Sequence, residues 1–286
     1  MSTAYFKGEF MPLDAVRVSP LDRGYLLGDG VYEVVPVYAG RLFCIDAHLD
    51  RLERSLSSIA IKNPWSRSAW VKMLDGLVER NGGGEQSLYF QVTRGEAPRD
   101  HAFPEGIRPL IFAMSRPGPR RTSPQPIHAV TRVDNRWGRC DIKAIALLPN
   151  VLLRQEAVSA QAGEAILVRD GSVTEGAASN VFVIAGGVVR TPPKSPKILA
   201  GITRDVTLEL AAAAGIRCEE CDVAEAALPS ADEIWVTSSS LEITPVARLD
   251  GRPVGSGAPG PVWQTVFDRF IEFKRELARV PGETIA

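Results

Sequence analysis

Lys143 lies in the stretch Arg139-Cys140-Asp141-Ile142-Lys143, which runs on through Ala144, Ile145, Ala146, Leu147 and Leu148. An amine kept among apolar side chains sheds its hydration, and desolvation works against an ammonium group. The uncharged amine can attack a carbonyl and hold it as a Schiff base, the covalent chemistry open to lysine. The alternative is a lysine that lays its stem along apolar surface and keeps its ammonium in water. Taken alone, the stretch favours that alternative. Residues elsewhere in the chain shift the balance.

Further along comes Thr174-Glu175-Gly176-Ala177-Ala178-Ser179-Asn180. A carboxylate flanked by small residues can approach a planar ring closely. Against a pyridine nitrogen, Glu175 would keep that nitrogen protonated and strengthen the ring as an electron sink. Glu175 could equally cap a turn. Gly201-Ile202-Thr203 opens a helical pattern, and backbone N–H groups at a helix start, beside a threonine hydroxyl, make a phosphate site. The same residues would also serve as a plain N-cap. Thr237-Ser238-Ser239-Ser240 follows a strand pattern and could close the other side of a phosphate, or be a solvated loop. Arg51 lies off the leucine stripe of its helix, so periodicity exposes it to solvent; it could also clamp a phosphate. In the loop Arg94 to Pro104, an extended chain would point Arg99 and His101 to the same side. An arginine fork with an imidazole donor is a good receptor for a carboxylate.

The ordered pattern Tyr32, His48-x-x-Arg51, Pro98-Arg99-x-His101, Asp141-Ile142-Lys143, Glu175 and Gly201-Ile202-Thr203 resembles the D-amino acid transaminases. These are class-IV, fold-type-IV pyridoxal-phosphate enzymes, and Ile243-Thr-Pro-Val246 is similar too. The resemblance covers nearly the whole chain. The Arg99-x-His101 pair resembles the D-amino acid branch, while the lysine, glutamate and phosphate-site matches mark the wider class. It implies Lys143 as Schiff-base lysine and proton shuttle, and Glu175 as partner of the pyridine nitrogen. Arg51, Ile202, Thr203 and Ser239 would hold the phosphate of pyridoxal 5'-phosphate. Tyr32, Arg99 and His101 would hold the substrate α-carboxylate. The serine run at 238–240 replaces a more threonine-rich version. The implied reaction is ping-pong transfer of an amino group between D-amino acids and 2-oxo acids, in a homodimer with shared active sites. Other class-IV activities share the lysine and phosphate apparatus: branched-chain L-aminotransferase, (R)-amine transaminase and aminodeoxychorismate lyase. Arg99 with His101 argues against them. A cofactor-binding protein without turnover is disfavoured by the presence of both Lys143 and Glu175. Lys194 and Lys197 compete for the Schiff base from a proline-rich, exposed turn.

These residues need a scaffold. With 286 residues, 45% apolar and 23% charged, the chain can bury one large or two medium cores. A net charge of −1 gives no electrostatic reason to expect nucleic acid or an anionic membrane. No apolar run approaches the roughly 18–20 residues of a spanning helix, and no signal-peptide core is present, so the cytoplasm is expected. Cys218-x-x-Cys221 lacks a second pair or a nearby histidine, so no metal site is expected and all four cysteines read as reduced thiols.

Strands are expected at Tyr5-Phe6, Val31–Tyr38, Arg41–Phe43, Leu88–Thr93 and Leu110–Met114, with further strands at Ile127–Val133, Ala165–Val168, Val181–Ile184 and Ile234–Thr237. Helices are expected from Leu49 to Ile59, with Asp46 as N-cap, and over Ser68–Asn81, Leu147–Gln161, Thr203–Ala214 and Val262–Leu277. Pro117, Pro119, Pro124 and Pro126 exclude helix or central strand between them. The boundary is therefore placed near residue 119. The elements imply an α+β chain in two domains, and the resemblance implies fold type IV with a small N-terminal and a larger C-terminal domain. Residues 1–118 would form a small N-terminal α/β domain, and residues 119–286 a larger C-terminal α/β domain carrying Lys143.

Overall fold

The structure is a computed structural model, and residues 2–118 and 125–278 are described. They divide into two compact units. The first runs to residue 118 and adds Ile142–Ala146 and 275–278; the second holds 125–141 and 147–274.

The first unit opens with the hairpin β1 (Thr3–Phe6) and β2 (Glu9–Pro12), turned at Lys7 and Gly8, both at positive φ. The short helix α1 (Arg23–Leu27) leads into β3 (Gly30–Tyr38), which turns at Ala39-Gly40 into β4 (Arg41–Leu42). Helices α2 (Ile45–Ser58) and α3 (Arg67–Arg80) follow, then β5 (Gln86–Thr93) and β6 (Leu110–Pro117). The sheet has the order β2-β1-β6-β5-β3-β4 and is antiparallel throughout. Its alternation is the reason the helices pack where they do. Val31, Val35, Val37, Leu88, Phe90 and Val92 are buried and share one cluster with Leu49, Leu52 and Leu56 of α2 and Trp70, Leu74 and Leu77 of α3. Residues on the other alternation, including Tyr32, Val34, Tyr89 and Gln91, are half-buried. Asp46 does not cap α2. The N-cap is Cys44 at φ 45° with no side-chain cap bond, and Asp46 instead pairs with Arg67 at 2.8 Å.

The second unit begins with β7 (Ile127–Val133), α4 (Leu148–Ser159), β8 (Glu164–Arg169), β9 (Ser172–Gly176), β10 (Asn180–Ala185) and β11 (Val188–Thr191). It continues through α5 (Ile202–Ala213), β12 (Cys218–Glu220), β13 (Glu233–Ser238), β14 (Glu242–Leu249), β15 (Arg252–Pro253) and α6 (Pro261–Ala278). Its mixed sheet has the order β12-β11-β10-β13-β14-β7-β8-β9, with β15 paired to β14. Val181, Val183, Ile234, Val236, Ile166 and Val246 fill its centre. Glu233 caps α6 by accepting from the N–H groups of Val262 and Trp263 at 2.9 and 2.8 Å.

One expectation about domain organisation is revised, the place of Lys143. The boundary near residue 119 falls at the edge of 119–124, outside the described residues. Lys143, expected with the C-terminal part, packs with the first unit. Backbone pairing explains this: the exposed edge of β3 at Gly30 and Tyr32 needs partners. Tyr32 N–H donates to the Lys143 carbonyl at 2.9 Å, and Ile145 N–H donates to the Gly30 carbonyl at 3.1 Å. Ile142 joins the cluster of α2 and α3. Among the described residues no helix is long and apolar enough to cross a membrane.

Candidate active site

In the first unit, the bridge between Val31 and Ala144 fixes the Lys143 backbone against β3. Ser55 of α2 accepts the Lys143 N–H at 3.2 Å. The apolar enclosure expected around Lys143 is partial: Ile142 is buried, Lys143 half-buried and Leu148 exposed. The Lys143 Nζ lies 4.2 Å from the centroid of the Tyr32 ring, which stacks on Tyr89 at 5.5 Å. No carboxylate pairs with Lys143 among the described residues. Burial pushes the Tyr89 hydroxyl up to about 12, and it donates to Gln91 Oε1 at 2.7 Å. Lys194 and Lys197 are both exposed, and Lys194 is paired with Asp205.

Arg51 is 4% exposed, which overturns the exposed position that periodicity assigned to it. Its fork lies on Glu33, with Nε 2.8 Å from Oε1 and Nη2 2.7 Å from Oε2. His48 Nδ1 reaches Glu33 Oε2 at 2.7 Å. The cause is the strand: Glu33 shares one face of β3 with Val31, Val35 and Val37, so it faces α2, where His48 and Arg51 are one turn apart. Burial alone would raise the Glu33 carboxyl, but Arg51 and His48 outweigh it and hold it far below the usual range. Burial pushes His48 down, more strongly than Glu33 pulls it up, so the neutral ring donates through Nδ1. Its Nε2 is buried without a partner.

Arg99 and His101 are exposed, and the chain bends at both rather than running extended. Beneath them the loop is tied down. Arg23, 2% exposed, donates from Nη1 to the Asp100 carbonyl at 2.6 Å and from Nη2 to the His101 carbonyl at 3.4 Å. Its Nε meets Asp29 Oδ2 at 2.8 Å. Arg94 forks onto the same Asp29 at 2.8 and 3.0 Å, and its guanidinium lies 3.6 Å from the Phe103 ring centroid.

In the second unit, Glu175 lies on β9, a strand absent from the sequence-based expectations. Arg136 Nη1 meets its Oε1, while Leu199 N–H and Asn180 Nδ2 donate to Oε2 at 2.9 and 3.2 Å. Burial pushes the Glu175 carboxyl up to about 7, with Arg136 and the Leu199 N–H pulling the other way. The anion is the form these three donors satisfy. Arg136 is in turn forked on Asp134, at 2.9 Å through both Nε and Nη2. Burial would raise Asp134, but Arg136 and Thr174 hold it at about 2. No motif marks Arg136, and no signal in the sequence singles it out.

Ile202 and Thr203 are buried in the first turn of α5, whose N-cap Gly201 supplies no side chain. A Cβ at Gly201 would come within 2.0 Å of Asn180 Oδ1, so only glycine fits there. Thr237 pairs with Asn180 across β13 and β10, and its Oγ1 is buried without a partner. Ser239 is half-buried in the turn after β13. These features fit a phosphorylated pyridine. Oε1 of Glu175 has Arg136 as its one partner among the described residues and keeps a lone pair for a ring N–H. The helix start carries no side-chain cap, and Thr237 holds an unused hydroxyl.

The family model for amino-transferase class IV matches residues 30–249. A D-alanine aminotransferase of Bacillus licheniformis is 43% identical over 263 residues, covering 91% of this chain and 93% of that one. The branched-chain amino acid aminotransferase of Escherichia coli has a similar structure, with TM-score 0.88, 25% identity, and 95% and 94% coverage. The branched-chain aminotransferase of Thermoproteus uzoniensis, solved with norvaline, matches at TM-score 0.85 and 24% identity, with 97% and 94% coverage. The family match over residues 30–249 and the 43% identity over 91% of the chain show that the chain belongs to the class-IV aminotransferases, which depend on pyridoxal 5'-phosphate.

Proposed function

We propose that this chain is a transaminase that moves an amino group between D-amino acids and 2-oxo acids, of the D-alanine and 2-oxoglutarate kind, by a ping-pong route. The observation that carries the reading is Lys143 Nζ, set over Tyr32 with no acidic partner among the described residues, in a chain 43% identical to a D-alanine aminotransferase. The branched-chain alternative rests on fold likeness at 25% identity or less in the structures above.

Lys143 would hold the cofactor's carbonyl carbon, Glu175 its ring nitrogen, and Arg51, Ile202, Thr203 and Ser239 its phosphate. When bound, pyridoxal 5'-phosphate supplies the electron sink for the bond broken at Cα. Tyr32, Arg99 and His101 would fix the substrate α-carboxylate, and this orients the Cα–H bond. Lys143 Nζ, released by the incoming amine, would take the proton from Cα and return it at C4′. Glu175, whose anionic form accepts from Arg136, Asn180 and Leu199, would hold the ring nitrogen's proton. Glu33 would hold Arg51 in register.

The working form would be a cytoplasmic homodimer. Support comes from the apolar surface of α4, where Leu148, Val151 and Leu152 are more than half exposed. The test of function is initial-rate kinetics with D-alanine and 2-oxoglutarate. Parallel double-reciprocal lines with pyruvate as product are expected; no pyruvate would overturn the reading.

A further inference from the structure

Arg99 and His101 present a precision problem. Both side chains are exposed, and neither makes a side-chain hydrogen bond or ion pair among the described residues. A receptor for one carboxylate must nevertheless be held to within a fraction of an ångström to align a substrate. Within this chain, what aims these side chains acts through the backbone of residues 99–101.

One buried side chain grips that backbone. Arg23 donates to the carbonyl oxygens of Asp100 and His101, and so fixes two successive peptide planes. Its own position is set from three directions. Its Nε is held by Asp29. Its backbone N–H donates to the Gly95 carbonyl at 2.8 Å, where the loop begins. Asp22, just before it, caps α1 through Oδ1 and accepts from Thr93 Oγ1 through Oδ2 at 2.8 Å. Glycine is required on both sides of this junction. A Cβ at Gly24 would meet Thr93 Cγ2 at 2.4 Å, and one at Gly95, at φ 111°, would meet the Arg108 carbonyl oxygen at 2.2 Å. Phe103, at the far end of the loop, closes over Arg94, which shares Asp29 with Arg23. The loop is thus clamped at its start, at its tip and at its return, and the clamps at tip and return meet at Asp29 through Arg23 and Arg94.

We propose that Arg23 is a positioning residue for the substrate carboxylate: it aims Arg99 and His101 by holding the Asp100 and His101 carbonyls. The inference rests on Arg99 and His101 being the carboxylate receptor. A guanidinium spreads its donors over three nitrogens in a fixed fork, which lets Nε, Nη1 and Nη2 reach one carboxylate and two carbonyls at once. Lysine at this position could keep the ion pair with Asp29 but could not span all three.

The test compares Arg23→Lys, Phe103→Ala and Arg99→Ala with the parent holoenzyme in single-turnover reactions with D-alanine, followed by cofactor absorbance. Hydroxylamine, which attacks the same cofactor carbon but has no carboxylate, is run in parallel. For Arg23→Lys the apparent Kd for D-alanine should rise about tenfold or more and the limiting rate should fall as the Cα–H bond loses its alignment, with the hydroxylamine rate changed less than about threefold, the pattern of a displaced carboxylate receptor. Phe103 is 60% exposed, so its alanine variant is expected to fold and to show a smaller rise of the same kind. If Arg23→Lys does not fold, the Phe103→Ala result decides alone. An unchanged D-alanine Kd in both variants, with Arg99→Ala raising it, overturns the role of Arg23 and leaves the receptor standing. An unchanged Kd in Arg99→Ala removes the receptor itself, and the proposal with it. Equal losses with D-alanine and hydroxylamine would mean general damage and would also overturn it.

Discussion

Glu175→Gln separates the chemistry of the ring nitrogen from the architecture around it. The carboxylate accepts from Arg136 at one oxygen and from Leu199 N–H and Asn180 Nδ2 at the other. An amide has one acceptor oxygen. If that oxygen keeps Leu199 and Asn180, the NH2 group faces the Arg136 guanidinium, donor against donor. Arg136 remains forked on Asp134 and is not orphaned. The loss is therefore that of one charged hydrogen bond, about 2 kcal/mol, or roughly 4–8 °C in Tm for a chain of this size. The effect on rate should be larger. A neutral amide cannot hold the ring nitrogen's proton, and a several-hundredfold fall in the D-alanine single-turnover rate corresponds to about 3–4 kcal/mol. The assay follows cofactor absorbance in the half-reaction, with cofactor content measured separately after alkaline release. An unchanged limiting rate at full cofactor occupancy would refute the role of Glu175. A rate loss that merely tracks cofactor loss would do the same.

Borohydride reduction of the holoenzyme should fix the cofactor to Lys143, and peptide mapping to Lys194 or Lys197 would overturn that assignment. Mixing the inactive variants Lys143→Ala and Arg99→Ala and allowing subunit exchange should restore activity if sites are shared across a homodimer. Continued inactivity, with exchange confirmed by mass, would show that each subunit completes its own site. Asp134 has its carboxyl held at about 2 against an ordinary value of 3.8, so it stabilises the fold above pH 4 and that contribution fades as pH falls toward 2. It amounts to about 2 kcal/mol. Chemical denaturation from pH 5 down to pH 3 should show a shallower pH dependence for Asp134→Asn than for the parent; equal slopes would contradict the ion-pair account.

Much of the scaffold was legible because alternation and helical spacing carry the packing. The leucine stripe of α2 and the β3–β4 turn at Ala39-Gly40 stand where the sequence places them. The stripe misled about Arg51, since periodicity counts apolar residues and cannot see a buried ionic partner. The signal was present in β3: Glu33 occupies a core-facing position between valines, and such a residue demands a cation opposite. Strand β14 went unrecognised because Pro245 reads as a breaker; it is tolerated because β7 pairs with β14 only from Val246 onward. The motif residues Lys143, Glu175, Ile202 and Thr203 could be named from sequence, but not what holds them. Arg136 and Arg23 act through contacts 39 and 77 residues away in the chain, and no local pattern encodes such partners.

The most direct test of the account is the half-reaction of the purified holoenzyme with D-alanine and with L-alanine, watched by loss of the cofactor's carbonyl-form absorbance. The D-enantiomer should discharge it far faster than the L-enantiomer. Faster discharge by L-alanine, or by L-leucine or L-valine than by any D-amino acid, would contradict it.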